Sequence, residues 1–163
     1  TEAPFSKDYL DKLSQLNFSS KGFLTGSIDL VFTDKENLSD ARWWIADWKS
    51  NWIGQRNEGG NSIACGPAHY NKEAMNQQMI NHHYPLQAII YLVALHRFLK
   101  WRLPNYEPSR HLGGYVYVFM RGIPSSSEIS KCQKLNYLPG LIVERTPIKR
   151  VIRLHELFGR GKR

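Results

Sequence analysis

Cysteine is nearly absent: the 163 residues include two, Cys65 and Cys132, and neither sits in a C-x-x-C pair. A disulfide framework is thereby excluded, and a reducing, cytoplasmic location is expected. Cys65, His69, His82 and His83 have spacings that fit no standard zinc site. Long apolar runs are missing as well. None reaches the ~18 residues a membrane helix needs, and no signal peptide opens the chain, so membrane and secreted readings fall away. There is no G-x-x-x-x-G-K-[ST] phosphate loop and hence no ATP-driven motor. Without internal repeats or long low-complexity stretches, residues 1–163 read as one domain. The first residue is Thr1 rather than Met, so an N-terminally truncated piece of something longer is expected.

What is present is the composition of a globular domain, with 42% hydrophobic and 22% charged residues, enough to bury a real core. The net charge of +8 is unevenly spread. Residues 131–163 hold nine of the 22 lysines and arginines against only Glu144 and Glu156. Such a surplus fits a polyanionic partner, because Lys and Arg beside phosphates release condensed counterions. It is also compatible with plain solubility or with attachment to another protein.

Periodicity predicts a helix over Lys7–Leu16 and a strand over Gly22–Thr33, alternating around Leu24, Ile28, Leu30 and Phe32. A polar link from Asp34 to Arg42 leads to a second strand, Trp43–Ser50. Asn51–Tyr70 reads as a Gly- and Asn-rich loop, and Lys72–His82 as a short helix with Met75 and Met79 on one face. Pro85 opens a longer helix to Leu103, ended by Pro104. Gly113–Arg121 and Leu141–Glu144 are the third and fourth strands. Thr146 as N-cap, Pro147 in the first turn and Gly159 as stop delimit a terminal helix, Ile148–Phe158. This order describes an α/β sandwich around a mixed sheet.

Two short segments carry chemistry. Gly26-Ser27-Ile28-Asp29-Leu30-Val31 sets an aspartate inside an apolar strand, and Ile45-Ala46-Asp47-Trp48-Lys49-Ser50 sets an aspartate and a lysine two apart near the end of the next. The strand period of two puts Asp47 and Lys49 on one face and Trp48 on the other. Neighbouring strands lie ~4.8 Å apart, so Asp29 and Asp47 converge if the register allows. Two close carboxylates raise one another's pKa unless a cation sits between them, and all-oxygen ligation suits Mg²⁺ or Mn²⁺. A divalent ion beside an ammonium group suits phosphodiester hydrolysis. The same residues also admit a plainer reading, with Asp47–Lys49 a surface ion pair and Asp29 a turn cap. His82 and His83 are adjacent, without the i, i+4 spacing of a paired metal site, and flank the turn between two helices. His96 beside Arg97 reads as a helix-surface or core-edge group. Most of the five tryptophans read as core, with stacking on single-stranded bases left to Trp52.

The ordered set GSIDLVF, ADWKSNW, PLQAIIYLVALHRFL and GGYVYVFMRGI resembles the RecB-type nuclease domains of the PD-(D/E)xK superfamily over roughly residues 21–158. D-x-K alone is weak; the four motifs in order are highly specific. The resemblance implies a restriction-endonuclease-like core, a central mixed β-sheet flanked by helices. It implies a Mg²⁺-dependent exodeoxyribonuclease, with Mn²⁺ able to substitute, that cuts single strands fed from a duplex end during double-strand break repair and recombination. RecC-like and RecD-like subunits, and a RecA-like recombinase, are the partners it brings with it.

By the same resemblance Asp29 corresponds to the first metal-binding aspartate, Asp47 to the second acidic residue and Lys49 to the catalytic lysine. The Trp48 main-chain carbonyl adds a metal ligand. Gln87 and Tyr91 match the QxxxY motif, share one helix face as i and i+4, and contact DNA or hold the site from beside it. The family also has a metal-binding histidine on a helix well upstream of the first aspartate, whereas the earliest histidine here is His69. That departure leaves a different class open, a catalytically silent DNA-binding or protein-docking module of the same fold.

Overall fold

The computed structural model describes residues 7–16, 25–132 and 135–159. Among them run α1 (Lys7–Ser14), β1 (Leu30–Thr33), β2 (Trp43–Lys49), β3 (Gln55–Arg56), β4 (Ser62–Ala64), α2 (Lys72–Asn81), α3 (Tyr84–Arg102), α4 (Pro108–His111), β5 (Leu112–Phe119), α5 (Ser126–Cys132), β6 (Leu141–Glu144) and α6 (Ile148–Gly159). The main sheet has the order β1-β2-β5-β6, with β2 and β5 parallel and both outer pairs antiparallel. A parallel pair needs a long crossover, and α2 and α3 supply it. The protein is an α/β fold with a mixed central sheet flanked by helices, consistent with a PD-(D/E)xK-like core.

Helix α3 forms the spine. Ala88, Leu92, Leu95 and Leu99, with Ile89, Val93 and His96 beside them, recur at helical spacing and are all buried. All but His96 belong to one hydrophobic core with Ile45, Tyr115, Tyr117, Phe119 and Ile142 of the sheet and Met75, Met79 and Val151 of α2 and α6. Alternation along β5 sends Tyr115, Tyr117 and Phe119 into that core and Val116 and Val118 to the opposite face. Asn71 caps α2, its side chain accepting from the Ala74 N–H at 2.8 Å. His82 and His83 do make the α2–α3 turn, His83 in the left-handed region at φ 54°.

Some elements differ from expectation. The first strand is short: residues 25–29 are not strand, and Gly22 and Leu24 lie outside the described residues. The 51–70 loop contains the β3–β4 hairpin and a 3-10 turn at Pro67–His69. Asn57 closes that hairpin, its side chain accepting from the Asn61 N–H at 2.8 Å, while Gly60 takes φ 78°. Strands of two and three exposed residues show no apolar alternation, so periodicity passes over them. The short helices α4 and α5 were not expected either. Ser125 and Glu128 nevertheless mark the start of α5, the Ser125 N–H and hydroxyl both donating to Glu128 Oε2, at 3.0 and 2.6 Å. The tryptophans are less buried than a core reading implies: Trp48 on β2 is 42% exposed and Trp101 on α3 is 75% exposed.

Candidate active site

Strand β2 delivers its odd residues to the helical side. Ile45 is core, and Asp47 follows, only 6% exposed despite its charge. Its Oδ2 lies 2.5 Å from Lys49 Nζ, so the pair is a buried ion pair rather than the surface pair that a bare D-x-K admits. Burying charge is tolerated only when pairing and hydrogen bonds replace water. Lys49 Nζ also donates to Gln87 Oε1 at 3.0 Å and stands 3.9 Å above the centre of the Tyr84 ring and 4.9 Å from that of Tyr117.

Asp29 is exposed at a bend one residue before β1, not inside a strand. The pairing Leu30↔Ala46, continued one step, sets Asp29 opposite Asp47. The Trp48 N–H donates to Asp29 Oδ2 at 3.0 Å and draws that carboxylate to the end of β2. In an extended residue the N–H and C=O leave on the same side, so the Trp48 carbonyl faces this edge too. Each aspartate thus has one oxygen engaged by the protein and a second one besides. Two carboxylates and a carbonyl at one strand end are a donor set that fits a hard, oxygen-ligated divalent cation, water completing its shell. Among the described residues, no group of three or more His, Cys, Asp or Glu side chains gathers to hold a metal.

Helix α3 contributes the other wall. Gln87 Nε2 donates to the Tyr91 hydroxyl at 3.1 Å, one turn along. The parallel register puts Tyr117 of β5 level with Asp47, and its hydroxyl lies 3.0 Å from both Gln87 Oε1 and the Tyr84 carbonyl. Burial first, then the Asp47 charge, pushes the Tyr117 phenol far above its usual range, which keeps it a donor. Tyr84 stacks on Tyr117 with ring centres 5.4 Å apart, and its own hydroxyl donates to Asn51 Oδ1 at 3.0 Å. The Asn51 carbonyl in turn accepts from Tyr70 at 2.7 Å.

Asp29, Asp47, Trp48, Lys49, Gln87 and Tyr91 therefore come together around the end of β2. Tyr84, Tyr117 and Asn51 join them and were not read from the sequence. The alternation of Tyr115, Tyr117 and Phe119 was a usable signal for Tyr117; nothing marked Tyr84, which precedes a helix-opening proline. Cys65 lies near Tyr70, with Sγ 3.3 Å from its hydroxyl. His96 is buried rather than at the surface, 3.0 Å from the Tyr106 hydroxyl.

No protein-family model matches the chain. The RecBCD enzyme subunit RecB of Mycobacterium tuberculosis (strain CDC 1551 / Oshkosh) is 33% identical over 157 residues, which is 94% of this chain and 13% of that protein. The subunit of the same name from Mycolicibacterium smegmatis is 41% identical over 103 residues, 63% of this chain and 9% of that protein. The Escherichia coli (strain K12) subunit is 37% identical over 103 residues, 63% of this chain and 8% of that protein. The chain thus spans only a small part of each relative's length. Its sequence runs in register with these subunits, and the chain belongs to the RecB family, as a segment resembling the nuclease domain.

Proposed function

We propose that the chain is a metal-dependent DNA exonuclease module of a RecB-like helicase–nuclease. It hydrolyses phosphodiester bonds of single strands fed from a duplex end in double-strand break repair and recombination, alongside RecC-like and RecD-like subunits. The observation that carries this reading is the meeting of Asp29, Asp47 and Lys49 at one strand end, with Lys49 held by Gln87.

Asp29, Asp47 and the Trp48 carbonyl would hold a Mg²⁺ ion, with Mn²⁺ able to take its place. When bound, that ion supplies charge neutralisation at the phosphate and lowers the pKa of water in its shell. Lys49 directs a fixed positive charge at the developing negative charge on the phosphate oxygens. Asp47, by accepting from Lys49, keeps the ammonium group over the site instead of letting it swing into solvent. Gln87 orients the same ammonium group, and Tyr91 orients Gln87. The half-buried walls exclude part of the bulk water, which strengthens each of these interactions.

The test is degradation of labelled single-stranded DNA by this chain with Mg²⁺, with Mn²⁺ and with chelator. Asp47→Ala and Lys49→Ala are each expected to lower the metal-dependent rate by orders of magnitude while far-UV circular dichroism stays native. Either variant keeping more than about a tenth of the rate would remove these residues from the reaction. DNA retained but never cut, by the native chain and the variants alike, would instead favour the binding-module reading. With only two carboxylates in the donor set, Mg²⁺ binding by the chain alone is expected to be weak, and calorimetric titration measures it.

A further inference from the structure

An ammonium group has three N–H donors and no acceptor. Two of those on Lys49 are accounted for by Asp47 Oδ2 at 2.5 Å and Gln87 Oε1 at 3.0 Å. The remaining neighbours are aromatic faces, Tyr84 at 3.9 Å and Tyr117 at 4.9 Å from Nζ to ring centre. Ring faces carry negative charge density and attract a cation, more strongly where water is excluded. The Lys49 side chain is 11% exposed, so water competes little.

The rings are themselves fixed. Tyr84 and Tyr117 stack at 16° between planes, and the His82 ring also stacks on Tyr84, with centres 5.3 Å apart. The Tyr84 hydroxyl is tied to Asn51, and the Tyr117 hydroxyl reaches Gln87 Oε1 and the Tyr84 carbonyl. The latter contact settles the Gln87 amide. Its oxygen faces two donors, Lys49 and Tyr117; turned over, its NH₂ group would point at a cation.

We infer that Tyr84 and Tyr117 are positioning residues for Lys49: two stacked rings form a slot for its ammonium group, and the Tyr117 hydroxyl holds Gln87 so that its oxygen closes that slot. Of the four Lys49 contacts, the two to the rings are the ones without a hydrogen-bond acceptor. The inference rests on the nuclease reading for what Lys49 does, but not for how Lys49 is held.

The experiment joins a spectroscopic readout to kinetics on the full chain. Protons over a ring face are shifted upfield by its ring current, so the Lys49 side-chain resonances, assigned by their loss in Lys49→Met, should lie upfield of ordinary lysines. Tyr84→Leu, which fills the space without a π face, should return them to ordinary positions. It should also lower kcat about tenfold, equivalent to about 1.4 kcal/mol, with KM and melting temperature little changed. Tyr84→Phe should restore the upfield shift and bring kcat back to within about threefold. Tyr117→Phe should keep the ring shift and lower kcat through Gln87. Should Tyr84→Leu fail to fold, the native spectrum with the two phenylalanine variants decides. Lys49 resonances at ordinary lysine positions in the native chain, or unmoved in folded Tyr84→Leu, would overturn the inference. So would equal losses of kcat and melting temperature in all three variants. A native chain that never cleaves DNA sinks the nuclease reading alone, because the ring shift still reports the slot.

Discussion

At the scale of the residue, the feature that sets this molecule apart from a generic α/β domain is a lysine and an aspartate buried together. Side-chain exposures of 11% for Lys49 and 9% for Asp47 place both beyond effective hydration. Desolvating such a pair costs about what the pairing returns, so it is weak evidence for stability. Removing one partner is a different matter, since the other is left charged without water. Lys49→Met is expected to destabilise the metal-free chain by about 3–5 kcal/mol, read as a lower urea midpoint in chelator. Adding Asp47→Asn should recover much of that loss, because the orphaned carboxylate is gone. A single variant costing less than about 1 kcal/mol would mean that water reaches Asp47 freely.

At the scale of the element, α3 serves two sites with opposite faces. Its N-terminal half points Gln87 and Tyr91 at the end of β2, while its C-terminal half meets α6 around His96, Lys100, Ile152 and His155, which line a cavity of about 400 Å³ with Tyr106, Pro108 and Glu156. The His96 and His155 rings meet edge to face at 4.9 Å, and Arg97 Nε donates to His155 Nδ1 at 3.0 Å. Burial, then the neighbouring His155, Lys100 and Arg97 charges, lowers the His96 pKa. Burial, then Arg97 and Lys100, lowers that of His155, partly opposed by Glu156. The unfolded chain therefore takes up protons at a higher pH than the folded one. Stability is fully present above the ordinary histidine value of about 6.5, and it falls as the pH drops from there through the lowered folded values. Urea midpoints are expected to decline between about pH 7 and pH 5, and His96→Gln with His155→Gln should flatten that decline. A native midpoint constant over that range would mean that both rings titrate as if unfolded.

At the scale of the whole molecule, charge is the relevant quantity. The chain carries +8, and the strand–helix unit from β6 into α6 bears Arg145, Lys149, Arg150 and Arg153. Arg153 is 3.3 Å from Glu156, an exposed pair of little energetic worth. If this surface tracks a DNA backbone, affinity for single strands should fall with salt at a log–log slope of about −0.7 per neutralised phosphate. Replacing Lys149, Arg150 and Arg153 together with glutamine should flatten that slope, measured by fluorescence anisotropy across a salt series. An unchanged slope would assign these charges to solvent or to a partner subunit. No helix among the described residues is long and apolar enough to cross a membrane.

The sequence by itself determined the elements whose cause is local. Periodicity located β2, α2, α3, β5, β6 and α6 to within a residue or two, because an amphipathic stripe, a proline at a first turn and a glycine at a stop act over a few residues. Strand alternation alone put Asp47 and Lys49 on one face. Tertiary structure decided whatever depended on distance along the chain. Asp29 reaches Asp47 through the antiparallel register of β1 on β2, and Tyr117 reaches Asp47 through the parallel register of β5 on β2. Whether the Asp47–Lys49 pair faces water or the core depends on α3 packing over it, and Tyr84 becomes a wall of the site only because the α2–α3 turn aims it there. Pairing register and helix docking are set by the sum of many contacts between segments far apart in sequence, and no local pattern records that sum.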